Sequence, residues 1–156
     1  MQSTKTDKAD KLRINDQLCF ALYSASRAIT KAYGVLLDEL DVTYPQYLAL
    51  LMLWEGDGIL VSEIAKALEI DAGTATPLIQ RLEKLELVTR IRCDQDERRV
   101  RVYLTDKGKA YYEKALSVPH GLGEATGLDN QNSDRIIDEM NGIKSTIAQW
   151  MNSKEA

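Results

Sequence analysis

Between residues 61 and 105 the hydrophobic period changes from helical to strand-like, and that change limits the folds open to this chain. Val61-Ser62-Glu63-Ile64-Ala65-Lys66-Ala67-Leu68 reads as a short helix, and Glu69–Asp71 turns the chain. Asp71 can cap a second helix over Ala72–Leu85, with Leu78, Leu82 and Leu85 inward. Thr74, Thr76, Gln80, Arg81 and Lys84 decorate its other faces, and Pro77 costs it one backbone hydrogen bond. Leu87–Cys93 then alternates, with Val88, Arg90 and Arg92 on one face and Thr89, Ile91 and Cys93 on the other. Arg99–Thr105 alternates likewise, and Asp94-Gln95-Asp96-Glu97-Arg98 between them reads as a charged hairpin tip. Two short helices, the second polar outside, followed by a hairpin predict a mainly α fold with a small β wing: a winged helix-turn-helix.

The flanks are helical. Residues 1–13 are polar and read as a frayed lead-in. With Asn15 as a plausible cap, a long helix follows in which Leu18, Leu22, Ala25, Ile29, Ala32 and Leu36 form one apolar face. Asp38–Thr43 breaks it, and Tyr44-Pro45 opens another helix through Leu48, Leu51 and Leu53 to Trp54. After the hairpin, Thr105-Asp106-Lys107-Gly108 caps a helix to about Leu116, and Ser117–Asp129, with Pro119 and three glycines, reads as a loop. A last helix from about Asn130 to Asn152 steps through Ile136, Met140, Ile143, Ile147 and Trp150. A winged helix needs little of this apolar surface for its own core. Residues 14–43 and 106–152 are therefore read as dimerisation helices around a DNA-binding region at 44–105, all within one domain of 156 residues. The alternative is that the two seams pack on each other within one chain.

Net charge is −4, which taken globally argues against nucleic acid, but residues 90–101 hold five arginines against three acids. Backbone binding depends on where cations sit, so the sum does not exclude DNA. The longest apolar run, around Leu48–Trp54, is far short of the ~20 residues of a bilayer span, and no secretory signal precedes it. Two cysteines without framework spacing point to the cytoplasm, and a single His120 with no CxxC leaves no expected metal or cofactor.

VSEIAKAL, TATPLIQRLEKLELVTRIR and DQDERRVRVYLTDKGK together resemble the MarR family of winged-helix regulators. The segments Gln17–Ser24 around Cys19 and Leu40–Tyr47 are similar to its organic hydroperoxide resistance subgroup. The resemblance covers about residues 14–116 and implies a homodimeric repressor on a pseudo-palindromic operator. It further implies release of DNA when the Cys19 thiol is oxidised by an organic hydroperoxide. Tyr33 and Tyr44 match the subgroup's two thiolate-binding tyrosines, and Tyr23 is a nearby third. Some members carry a resolving cysteine beyond the wing. Here no cysteine follows Cys93, which is read as structural, so the resemblance favours a one-cysteine mechanism.

The physics agrees with that carry-over. A free thiol is only a few per cent thiolate at neutral pH, whereas a helix N-terminus and phenolic donors favour the anion. Phe20, Leu22, Leu50 and Trp54 are expected to favour greasy peroxides. On the DNA side the second helix would enter the major groove, presenting Thr74, Thr76, Pro77, Gln80 and Arg81, with Arg90 and Arg92 on the wing. Arg98, held by Asp96, would enter the minor groove. Two other readings compete: a repressor released by a phenolic ligand in a dimer cleft, and a thiol peroxidase. The chain lacks the alternating strand–helix units that a thioredoxin-like peroxidase would need.

Overall fold

The computed structural model describes residues 12–155, so the polar lead-in expected over 1–13 falls almost wholly outside them. The chain forms two compact units, one ending at Val118 and one beginning at Pro119.

In the first unit a 3-10 turn, Ile14–Asp16, leads into helix α1, Leu18–Leu36. This corrects the expected cap. Asn15 lies inside the 3-10 turn, where Asp16 N–H bonds Arg13 O and Gln17 N–H bonds Ile14 O, and the cap position passes to Gln17. Helix α1 buries no residue of its own: Leu18, Phe20, Leu22, Ile29 and Val35 are all exposed, and only Tyr33 and Leu36 lean on the core. The expected apolar face therefore exists but is uncovered in one chain.

Helix α2, Tyr44–Glu55, starts on a local lock, in which the buried Gln46 side chain accepts from Thr43 N–H at 2.8 Å and Pro45 fills the first turn. Its Tyr47, Ala49, Leu50 and Leu53 are buried. Strand β1, Ile59–Leu60, precedes α3, Val61–Ala67, whose Glu63 reaches back to Leu60 N–H. Glu69, at φ 55°, turns the chain into α4, Ala72–Lys84, and Asp71 caps that helix by accepting from Thr74 N–H at 2.9 Å. Glu86 ends α4 the same way at φ 60°, with Leu87 N–H bonding Leu82 O. Strands β2, Val88–Cys93, and β3, Asp96–Leu104, pair antiparallel, and β1 adds to the far edge of β3 to give the order β1-β3-β2. The register runs Val88↔Leu104, Arg90↔Val102 and Arg92↔Val100, then shifts so that Cys93 faces Asp96. That shift shortens the expected five-residue tip to Asp94-Gln95 and puts Asp96 and Arg98 on the strand.

Helix α5, Asp106–Ala115, is capped by Thr105 and fastened to the end of α4. Thr105 N–H donates to Leu87 O (3.1 Å), its hydroxyl to Glu86 O (2.6 Å), and Lys107 Nζ to Leu85 O (2.7 Å). The fit leaves no room at Gly108, where a Cβ would lie 2.0 Å from the Leu87 carbonyl oxygen. Trp54 Nε1 donates to Gly108 O, tying α2 to the same point. The core of this unit runs through Leu37, Leu50, Leu53, Ile64, Ile79, Leu82, Leu87, Val88 and Val102, all fully buried.

Residues 117–126 form α6, Ser117–Thr126, where a loop was expected. Pro119 falls in the first turn, where a missing N–H costs no helical bond, and the helix stops at Gly127 with φ 67°. In the second unit Asp129 caps α7, Asn130–Glu155, through Asn132 N–H. Helix α7 buries no residue, and Ile137, Ile147, Trp150 and Met151 are exposed along it.

Candidate nucleic-acid interface and thiol site

Helix α4 is divided cleanly. Ala75, Leu78, Ile79 and Leu82 are buried, while Thr74, Thr76, Pro77, Gln80 and Arg81 are exposed, as the spacing predicts. Thr74 is partly committed: its hydroxyl donates to Asp71 at 2.8 Å, the main reason the Asp71 carboxyl sits below its ordinary range. Thr74, Pro77 and Arg81 share a groove of about 280 Å³ with Thr43, Pro45 and Gln46 at the start of α2.

The wing supplies arginines of two kinds. Arg98 has a side chain 93% exposed, and Asp96 Oδ1 accepts from both its backbone N–H (3.1 Å) and its Nε (3.2 Å). The carboxylate aims the guanidinium stem while leaving its outer nitrogens to solvent. Arg90 is occupied instead: Nη2 and Nε lie 2.7 and 2.8 Å from Glu83 Oε2 on α4, and its backbone N–H donates to Glu83 Oε1. The side-chain hydrogen bond from Arg90 is the largest cause holding the Glu83 carboxyl below its ordinary range. Arg92 is exposed. Between α3, α4 and the wing lies a groove of about 300 Å³ whose walls include Ser62, Thr76, Arg90, Arg98 and Arg99. Ser62 and Arg99 were not singled out from sequence. The only available signal was Arg99's membership of the arginine-rich run. Arg101 bonds Gly58 O and braces β3.

Cys19 is the second residue of α1 and is exposed, in a turn whose backbone N–H groups lack carbonyls further back in the helix. Tyr23, one turn along and exposed, accepts from Arg27 Nη1 at 3.4 Å. Tyr33 and Tyr44 stack at 4.3 Å between centroids, with Tyr47 5.8 Å from Tyr33. Burial, then the neighbouring Tyr44 and Tyr47, pushes the Tyr33 phenol up to about 12, and burial raises Tyr44 as well. Both phenols therefore stay protonated donors at neutral pH.

The structure does not bring Cys19 to them. Cys19 and Tyr33 stand fourteen residues apart on one helix, a separation of about 21 Å along its axis. Nor do all the expected greasy neighbours gather: Leu50 is fully buried in the core and Trp54 is tied to α5, leaving Phe20 and Leu22 on the open face of α1. Cys93 is half-buried at the register shift, beside Arg92, Arg99 and Arg101.

Residues 31–115 match a family model described as transcriptional regulator SarA/Rot. Over 141 residues the chain is 44% identical to the organic hydroperoxide resistance transcriptional regulator of Bacillus subtilis (strain 168), covering 90% of this chain and 91% of that protein. A MarR transcriptional regulator from Methanosarcina mazei Go1 superposes with a TM-score of 0.71 at 25% identity, over 82% of this chain and 94% of that one. The chain belongs to the MarR family of winged-helix transcriptional regulators. A further MarR-type neighbour, reduced AbfR bound to DNA, gives a TM-score of 0.76 at 29% identity, over 93% of this chain and 99% of that one. This MarR-family chain thus holds its polar helix face and arginine wing side by side, and its thiol apart from its stacked tyrosines.

Proposed function

We propose that this protein is a dimeric repressor of the cytoplasm that holds a pseudo-palindromic double-stranded operator when Cys19 is reduced and releases it when an organic hydroperoxide oxidises Cys19. The observation that carries DNA binding is the exposed polar face of α4 set beside a wing whose Arg98 is pinned by Asp96. In this reading α4 enters the major groove, with Gln80, Arg81 and Thr76 toward base edges, and Arg98 follows the minor groove. Arg92 and Arg99 face phosphates.

The bare faces of α1 and α7 support a second copy as their cover. A second copy also resolves the separated sensor, since Cys19 of one protomer would meet the stacked Tyr33 and Tyr44 of the other. Their phenols donate to the thiolate. Its Sγ attacks the terminal peroxide oxygen, an S–O bond forms as O–O breaks, and the departing alkoxide takes a proton to become the alcohol. Cys19 is left as a sulfenic acid, which either condenses with a small thiol to a mixed disulfide, losing water, or is oxidised by a second peroxide to the sulfinic acid, releasing a second alcohol. Similarity to the Bacillus regulator supports this chemistry.

The test uses labelled DNA from upstream of this protein's own gene, titrated with cumene hydroperoxide. Wild type should release it, and Cys19→Ser should bind equally and stay bound. If Cys19→Ser still responds, the thiol is not the sensor and a ligand-released repressor takes its place.

A further inference from the structure

Arg90 belongs to the arginine-rich wing, yet its guanidinium points at α4. Nη2 and Nε both lie within 2.8 Å of Glu83 Oε2, and the Arg90 N–H meets Glu83 Oε1 at 3.2 Å, so one carboxylate grips side chain and backbone of the strand together. Glu83 stands in the last turn of α4 and Arg90 near the start of β2, with the left-handed Glu86 between them. The grip therefore spans the turn that joins the helix to the wing. From Arg90 the strands run on to Arg98, and the groove between holds Ser62, Thr76, Arg98 and Arg99. A change of angle at Arg90 is carried outward along β2 and β3 to Arg98.

We propose that Arg90 is not a DNA contact but a positioning residue: with Glu83 it fixes the angle between the reading helix and the wing, and so lets α4 and Arg98 engage adjacent grooves at once. The inference rests on the DNA-binding reading above. A carboxylate placed this close to DNA would weaken binding if it did nothing else, because it repels phosphate. Its use as a clamp predicts the reverse for its removal.

The experiment measures affinity of the full-length protein for the same labelled duplex by anisotropy, across a salt series. Glu83→Gln and Arg90→Gln should each weaken binding about tenfold, as expected for a half-exposed ion pair lost from each of two protomers. Both should keep the wild-type slope of log affinity against log salt, because no phosphate contact is lost. Arg98→Gln should flatten that slope by about 2, at ~0.9 per phosphate contact in each protomer. The exchanged pair, Glu83→Arg with Arg90→Glu, should regain most of the affinity. At saturating protein, hydroxyl-radical footprints of the single variants should keep the protection by both α4 and the wing, because the angle is then set on binding instead of beforehand. Tighter binding by Glu83→Gln, or a slope for Arg90→Gln that falls by about 2, overturns the proposal. If a single variant fails to fold, the exchanged pair decides: recovery of affinity supports the clamp and failure refutes it. A wild-type protein that ignores the duplex would instead sink the DNA-binding reading itself.

Discussion

Gly108→Ala should destabilise the protein by about 2–4 kcal/mol, although alanine is the better helix former by ~1 kcal/mol. Gly108 is in the first turn of α5, and its missing Cβ would lie 2.0 Å from Leu87 O, 3.0 Å from Leu87 C and 3.1 Å from Leu104 Cδ2. The offending atom is backbone, so no rotamer change relieves it. Even a tight 3.0 Å contact requires α5 to retreat by about 1 Å. That retreat stretches Thr105 N–H to Leu87 O beyond bonding range and loosens the Thr105 and Lys107 bonds to Glu86 and Leu85. Two or three such bonds at ~0.5–1.5 kcal/mol each, with ~1–3 kcal/mol for displaced core side chains, outweigh the propensity gain. Urea unfolding at fixed protein concentration reads the difference, and the melting temperature should fall by roughly 10 °C. A variant as stable as wild type, or ~1 kcal/mol more stable, would show that the contact between α5 and the end of α4 is looser than described.

On the proposed reading, in which Arg98 follows groove shape and phosphate, Arg98→Ala should weaken binding to all operator variants about equally, whereas Gln80→Ala should change base preference by ~1–3 kcal/mol. A competition assay over single-base operator variants separates the two, and a specificity change for Arg98→Ala alone would reverse the assignment. Cys93→Ser should respond to cumene hydroperoxide like wild type; a Cys19–Cys93 disulfide on non-reducing gels would contradict the one-cysteine mechanism. Tyr33→Phe and Tyr44→Phe should each raise the peroxide needed for release by about tenfold, one charge-assisted hydrogen bond being worth ~1.5–3 kcal/mol. The Tyr33 phenol, pushed up to about 12, stays a donor from pH 6 to 9, and it acts by favouring the thiolate, so the deficit should be largest near neutral pH and shrink toward pH 9, where a free thiol ionises unaided; a deficit that grows toward pH 9 would mean the phenol does not act through the thiolate.

The parts legible in the sequence are those with a local cause. The buried side of α4 followed from Leu78 and Leu82, and the Asp96 grip on Arg98 from two residues on one side of a hairpin. Strand β1 was not legible, because two residues carry no period and its pairing comes wholly from β3. Helix α6 was hidden by Pro119, which breaks a helix interior but not a first turn, and by Gly121 and Gly123, which disfavour a helix without forbidding it. Arg90 looked like a free cation because its partner, seven residues back on a helix, is fixed only by the angle between α4 and β2. Cys19 with Tyr33 and Tyr44 read as one site, yet the continuous helix between them holds them apart.

That separation has a genetic consequence. If a working sensor takes its thiol from one copy and its phenols from the other, the site belongs to the pair and not to the gene product. A Cys19→Ser allele and a Tyr33→Phe/Tyr44→Phe double allele would each be poorly inducible alone. Expressed together at equal levels and pairing at random, about half of the dimers would be mixed, and each mixed dimer would hold one complete site: the cysteine of the second allele against the tyrosines of the first. The mixed dimers would then regain release by peroxide in trans, over a background held by Cys19→Ser homodimers, as no sensor contained within one chain could do.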